Sequence, residues 1–268
     1  MKEDAAEPRE QRAVQSVEVG GRLLLALAEQ PGPTTLKDLA ARAGLPASRA
    51  HPYLVSFGKL GLIEQDSDSA RYALGPAALQ LGLAALNQSD PLKAAVPVAE
   101  ALAADTGQTV ALAVWANFGP TIVRMIEGRE PLHVSMRAGT VMSILGTATG
   151  RAFAAVLPLA RIERALLAGP LGEPLRPDRS AVQHLAAEIE AVAAEVRGHA
   201  GLARAVGRPI PGVNAFSAAA FDHQGRPAIV VTALGHEDTF SADWDSPVAM
   251  AVGRAAVEVS RRLGWRGG

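Results

Sequence analysis

From Val14 onward the apolar positions fall at helical spacing, with Val17, Leu24 and Leu27 recurring until Pro31-Gly32-Pro33 stops the element. Residues 1–13 carry Lys2, Glu3, Asp4, Glu7, Arg9, Glu10 and Arg12 with almost nothing to bury, which predicts a disordered, solvated tail. Gly20 and Gly21 lie inside the first helix, where together they cost ~2 kcal/mol relative to alanine. Close packing against another helix is their expected use. Thr35 followed by Asp38 has the form of a capping box, and Leu36, Leu39, Ala40 and Ala43 make the stripe of a short second helix that Gly44 ends. A third helix is expected to start at Pro46, whose missing N–H has no partner to lose there. Ala50, Tyr53, Leu54 and Phe57 give it one apolar face, and Gly61 closes it. Leu62-Ile63-Glu64 and Arg71 to Leu74 then flank a polar tip and read as a hairpin. Three helices, a glycine turn and a hairpin predict a winged helix-turn-helix over residues 14–75.

From Pro76 to Gln88 the residues Leu79, Leu81, Leu83 and Leu86 predict a linker helix, assigned to residues 76–90, and Ser89-Asp90-Pro91 marks a boundary. Beyond it helices are predicted at Leu92–Thr106, Thr149–Leu157, Arg161–Leu167, Ala181–His199 and Ser246–Leu263. Strands are predicted at Val110–Val114, Thr121–Glu127, Leu132–Met136, Val213–Phe221 and Ala228–Leu234, the last two joined through Asp222-His223-Gln224-Gly225. Hairpins and helices in this order imply an α+β domain, an antiparallel sheet with helices packed on it, over residues 91–268.

Composition narrows the classes. The 268 residues contain no cysteine, which excludes disulfides, Cys-ligated metals and thiol catalysis and fits a reducing cytoplasm. No run of ~18 apolar residues exists to span a membrane. With 26 Lys/Arg against 27 Asp/Glu, non-specific coating of nucleic acid is disfavoured, although a few local basic side chains suffice for specific binding. Neither a GxSxG elbow, a phosphate-binding GxxxxGK[ST], an HExxH nor a glycine fingerprint after a strand is present, so no enzyme is predicted and no cofactor is implied.

The stretch VQSVEVGGRLLLALAEQPGPTTLKDLAARAGLPASRAHPYLVSFGKLGLIEQDSDSARYALGPAALQLG at 14–82 resembles the DNA-binding domain of the isocitrate-lyase-regulator (IclR) family of bacterial transcription factors. RAGTVMSILGTATGRAFAAVLP at 137–158 and GLARAVGRPIPGVNAFSAAAFDHQGRPAIVVTALG at 201–235 resemble that family's effector-binding domain. The resemblance implies a GAF-like effector-binding and oligomerisation domain, a homodimer or a dimer of dimers, a palindromic operator in double-stranded DNA, and repression more than activation.

On the third helix the buried face leaves Ser48, Pro52, Val55 and Lys59 outward, Arg49 and Ser56 on one flank and His51 on the other. Ser48, Arg49 and His51, in the first turns, are expected near base edges, where Arg49 can place two N–H groups on a guanine. Lys59 and Arg42 suit phosphates, and Thr34 or Thr35 the backbone. Simple solvation of an exposed face is the competing explanation for Arg49 and Lys59. Family members commonly carry a basic residue where this chain has Pro52, which is expected to kink or tighten the first turns. Asp66 and Asp68 at the wing tip repel phosphate and leave Arg71 as its expected contact.

For the effector, the resemblance implies loop contacts from Ala148 and Thr149 and strand contacts near Ala205, Ala215, Thr232 and Leu234. Most of these are apolar, which favours an aromatic or medium-sized organic acid, its carboxylate received by backbone N–H groups near Gly146 to Gly150. Met125, Met136, Met142, Trp115 and Phe118 are candidate wall residues, with ordinary core filling as the alternative. Two other functions stay open: a winged-helix protein-interaction module, and a metal-binding sensor using His236, Glu237, Asp238, Asp243 and Asp245.

Overall fold

The computed structural model describes residues 13–130, 132, 134, 136–168 and 179–267; the tail expected at 1–13 lies outside them apart from Ala13. The chain divides into two compact units, the first ending at Gln88 and the second beginning at Ser89.

The first unit contains α1 (Gln15–Ala28), α2 (Leu36–Arg42), α3 (Ala47–Lys59), β1 (Ile63–Gln65), β2 (Tyr72–Leu74) and α4 (Pro76–Asn87). Its core gathers Leu23 and Leu27 of α1, Leu39 and Ala40 of α2, Ala50 and Leu54 of α3, and Ile63 and Tyr72 of the hairpin. α1, α2 and α3 each supply a stripe and the small hairpin closes the open side. Of the two glycines in α1, Gly20 alone is fixed by packing. A Cβ there would stand 2.8 Å from Phe57 Cζ and 3.3 Å from Tyr53 Cδ1, whereas one at Gly21 would meet nothing within 4 Å. The residue that starts α3 is Ala47, with Pro46 as its extended N-cap, one position earlier than expected for the proline. α3 runs unbroken through Pro52, so the proline removes one N–H without ending the helix.

The second unit contains α5 (Pro91–Thr106), β3 (Thr109–Ala116), β4 (Gly119–Ile126), α6 (Ala148–Val156), α7 (Leu159–Ala168), α8 (Arg179–Gly198), β5 (Leu202–Val206), β6 (Val213–Phe221), β7 (Pro227–His236) and α9 (Pro247–Arg262). The strands form one sheet in the order β4-β3-β7-β6-β5, with antiparallel neighbours throughout. Period-two alternation divides its residues between two cores. Val110 and Leu112 of β3, Phe216 and Ala218 of β6 and Ile229, Val231 and Ala233 of β7 join α5 and α9 on one face. Ala113, Ala203 and Val230 turn to the other, around Phe153 and Ile162 of α6 and α7 and Ile189 and Val192 of α8.

Two strand expectations differ from the structure. β5, absent from the strands read from the apolar pattern although the resemblance implied a strand contact near Ala205, forms the sheet edge beside β6, from Leu202↔Ala218 to Val206↔Asn214. Leu132, Val134 and Met136, the described residues of the expected third strand, lie in no strand. The outer edge of β4 is met instead by residues 139–142, through Ile122 N–H to Thr140 O at 2.9 Å and Met142 N–H to Pro120 O at 2.7 Å.

Candidate nucleic-acid interface and ligand cavity

α2 and α3 form the helix pair of the first unit. Thr35 caps α2: its hydroxyl accepts from Asp38 N–H at 3.2 Å and donates to Asp38 Oδ2 at 2.8 Å. Gly44, at φ +67°, turns the chain into α3. Burial of Ala50 and Leu54 and half-burial of Tyr53 and Phe57 leave Ser48, Arg49, His51, Ser56 and Lys59 exposed on α3, with Arg42 exposed at the end of α2. Within the described residues, Arg42, Arg49 and Lys59 form no ion pair. The helix face therefore carries cationic donors and hydroxyls with no carboxylate among them.

Four of the residues expected to contact DNA also make hydrogen bonds within the unit. Thr34 is buried, and its N–H and C=O pair with Tyr72 of the hairpin at 3.0 and 2.8 Å. The Thr35 hydroxyl is spent on Asp38. Ser56 donates to Pro52 O at 3.0 Å, and Arg71 Nη1 donates to Pro33 O at 3.2 Å, tying the turn end of the hairpin to the α1–α2 loop. At the wing tip Asp66 accepts from both the hydroxyl and the N–H of Ser69, at 2.6 and 2.7 Å. Those bonds hold its carboxyl below the ordinary range. Asp66 is thus a turn cap that stays ionised.

In the second unit a cavity opens on the sheet face that α6 only partly covers. It is bounded by Ala111, Ala205, Ala215, Thr232 and Leu234 from the strands, by Thr147 to Thr149 at the start of α6, by Met136 and Met142, and by Arg208 to Ile210 after β5. Of the expected effector residues, Ala148, Thr149, Ala205, Ala215, Thr232, Leu234, Met136 and Met142 line it, whereas Met125, Trp115 and Phe118 do not. Met125 borders a separate cavity with Thr109, Glu127 and Glu130, and Met136 borders both. Trp115 packs edge-on against Phe153 in the α6–α8 core, and Phe118 is exposed.

Two of the N–H groups expected to meet a carboxylate are occupied: Gly146 donates to Ser143 Oγ at 3.1 Å, and Gly150 to Thr147 Oγ1 at 3.0 Å. Ala148 and Thr149 N–H keep no partner within the described residues, as expected in the first turn of a helix. Gly150 fixes this floor, because a Cβ on it would stand 2.5 Å from Ile144 Cα and closer still to the Ser143 and Ile144 carbonyl oxygens. Beside the helix start, Thr149 Oγ1 lies 2.8 Å from Thr232 Oγ1, which lies 2.7 Å from Ser217 Oγ. All three residues are buried.

Sequence reasoning missed Arg208, the one charged side chain of the described lining, and the hydroxyl chain. A lone arginine in the Gly/Pro-rich run from Gly207 to Gly212 carries no periodic signal, and only the β6–β7 pairing of Ser217 with Thr232 brings the hydroxyls together. No group of three or more His, Asp or Glu side chains among the described residues could hold a metal. His236 and Asp238 pair at 3.2 Å, but the acidic set around them is not brought together.

A winged helix-turn-helix in one unit and a helix-covered antiparallel sheet with a cavity in the other define the class. The IclR helix-turn-helix domain matches residues 16–67, and the bacterial transcriptional regulator IclR C-terminal domain matches residues 83–261. The chain belongs to the IclR family of bacterial transcriptional regulators. It is 30% identical to the glycerol operon regulatory protein of Streptomyces coelicolor over 57% of this chain and 60% of that one. It is 30% identical to the acetate operon repressor of Salmonella typhimurium over 52% of each. It thus spans about half to three-fifths of the length of these curated relatives. The crystal structure of Pseudomonas aeruginosa HmgR is 35% identical and superimposes with a TM-score of 0.81, over 95% of this chain and 100% of that one. Agrobacterium tumefaciens repressor BlcR, at 20% identity and a TM-score of 0.75 over 96% and 100% of the two chains, shares the fold. No helix among the described residues is long and apolar enough to cross a membrane.

Proposed function

We propose that this chain is a cytoplasmic, ligand-responsive repressor that binds a palindromic operator as a dimer or a dimer of dimers and is tuned by a small organic acid, aromatic or of medium size. In this reading residues 14–75 bind DNA, 76–90 link, and 91–268 bind the effector and self-associate. The observation that carries it is the solvent face of α3, where Ser48, Arg49, His51 and Lys59 are exposed and, among the described residues, Arg49 and Lys59 are in no ion pair. Arg49 reaches a base edge from the first turns of the helix; Lys59 and Arg42 meet phosphates. One chain offers a single such helix, and two related by a two-fold axis read half-sites roughly 34 Å apart. Dimerisation of the chain finds further support outside 91–268, in the linker helix α4, which has no charged residue and leaves Leu79, Leu81 and Leu83 65%, 63% and 51% exposed. The relatives named for operon repression support the sign of control.

The test is fluorescence anisotropy with fragments from upstream of the neighbouring genes. Wild type is expected to prefer one fragment over random DNA with a steep salt dependence, and Arg49→Ala to lose about 1–3 kcal/mol on it with relaxed base preference. Equal affinity for promoter and random fragments would remove the operator reading and leave the helix pair as a protein-contact module.

A further inference from the structure

The cavity lining offers several hydrogen-bond donors and no carboxylate. Among the described residues, Ala148 and Thr149 N–H have no partner at the start of α6. Arg208 has donors only, and its guanidinium makes no hydrogen bond or ion pair within the described residues. The hydroxyl chain adds a third donor by proton counting. Thr149, Thr232 and Ser217 carry three protons, and the two contacts between them use two. Leaving the spare proton on Ser217, which is 0% exposed, would bury a donor without an acceptor. Every arrangement that avoids this leaves the spare proton on Thr149 or Thr232, both of which line the cavity. No carboxylate side chain is among the described lining residues, and the surface between the donors is apolar: Ile122, Met136, Met142, Ala215 and Leu234.

We propose that the cavity is a two-anchor site for an acid carrying oxygen acceptors at both ends of an apolar body, one end received at the start of α6 and the other by the guanidinium of Arg208. At the buried end two N–H groups and one hydroxyl satisfy an oxygen that has left water, which a buried carboxylate requires. At the other end Arg208 matches a second carboxylate in a two-pronged contact. Ser217 is a positioning residue: it touches no ligand and turns the spare proton of the chain toward the cavity. The inference rests on the reading of this cavity as the ligand site and adds the number and chemistry of its anchors.

Isothermal titration of the full chain with phenylacetate and 1,4-phenylenediacetate tests it, because the two probes share a body and differ in the second acid end. Wild type is expected to bind the diacid about tenfold more tightly, the order supplied by one charge-assisted hydrogen bond. Arg208→Gln should abolish that preference by weakening the diacid alone. The Thr149→Val/Thr232→Val double variant should weaken both probes, with circular dichroism establishing that it folds. Equal binding of the two acids by wild type, or a preference that survives Arg208→Gln, would overturn the second anchor and leave a one-anchor acid site standing. Undiminished binding of both probes by the folded double variant would overturn the α6 anchor. If neither acid binds at on the order of 1 mM, the organic-acid reading falls together with the inference.

Discussion

In the first unit burial serves to expose: Ala50 and Leu54 go inward so that Arg49 and His51 on the same helix stand in water. In the second unit the sheet uses both faces. Val231 and Ala233 enter one core and Val230 the other, while Thr232 and Leu234, on the face of Val230, reach the cavity. The difference explains why the two candidate sites are not equally visible from sequence. A helix with one apolar stripe names its outward residues directly, whereas a sheet buried on both sides offers alternation without saying which inward positions are filled and which are left open.

That contrast can be pressed by mutation. The largest effect is expected from Phe153→Ala, which empties the centre of the α6–α8 core and should destabilise the second unit by about 3–5 kcal/mol. Urea unfolding followed by far-ultraviolet dichroism and by the fluorescence of Trp115, Trp244 and Trp265, all in the second unit, reads it. An unchanged midpoint would mean that this layer contributes little. Next, Gly20→Ala and Gly21→Ala differ by one position and should differ in sign. The first drives a methyl to 2.8 Å from Phe57 and should cost about 1–3 kcal/mol, while the second meets nothing and should stabilise by up to about 1 kcal/mol. If both behave alike, the tight α1–α3 contact is not what selects glycine.

The smallest expected effect lies on the outer side of α9. Hydrogen bonds from Arg261 and then Arg262 hold the Glu258 carboxyl at about 2, below its ordinary 4.5. A lowered carboxyl contributes stability above its unfolded value and loses it as pH falls through the folded one. The gap in urea midpoint between wild type and Glu258→Gln should therefore be constant above about pH 5 and close between 4.5 and about 2. A gap that widens on acidification would contradict the assignment.

Much of the first unit was legible because its signals are local. Thr35 and Asp38 are three residues apart, Gly44 and Gly61 end helices, and the apolar stripe of α3 is continuous. What was not legible there was long-range pairing. Thr34 and Arg71 look free in sequence, yet each is engaged by a residue more than thirty positions away. In the second unit β5 escaped the apolar pattern because Leu202–Val206 is short, lies between glycines and contains two alanines and an arginine; its pairing with β6 makes it a strand. The reverse error at Leu132–Met136 has the same origin. Its alternation suits a strand, but the edge of β4 is occupied by residues 139–142. Met125 shows a finer limit, since it pairs with the cavity residue Ala111 across the sheet yet opens onto the neighbouring hollow.

Gly150 carries one more consequence. With carbonyl oxygens of Ser143 and Ile144 pressed against its α-carbon, the loop and the first turn of α6 behave as a single casting. A guest entering the hollow meets a base of fixed height, so chemical taste can be retuned only along the walls and the lip, by exchanging methionines, alanines or the arginine there. Enlarging residue 150 by one methyl would deform the casting itself.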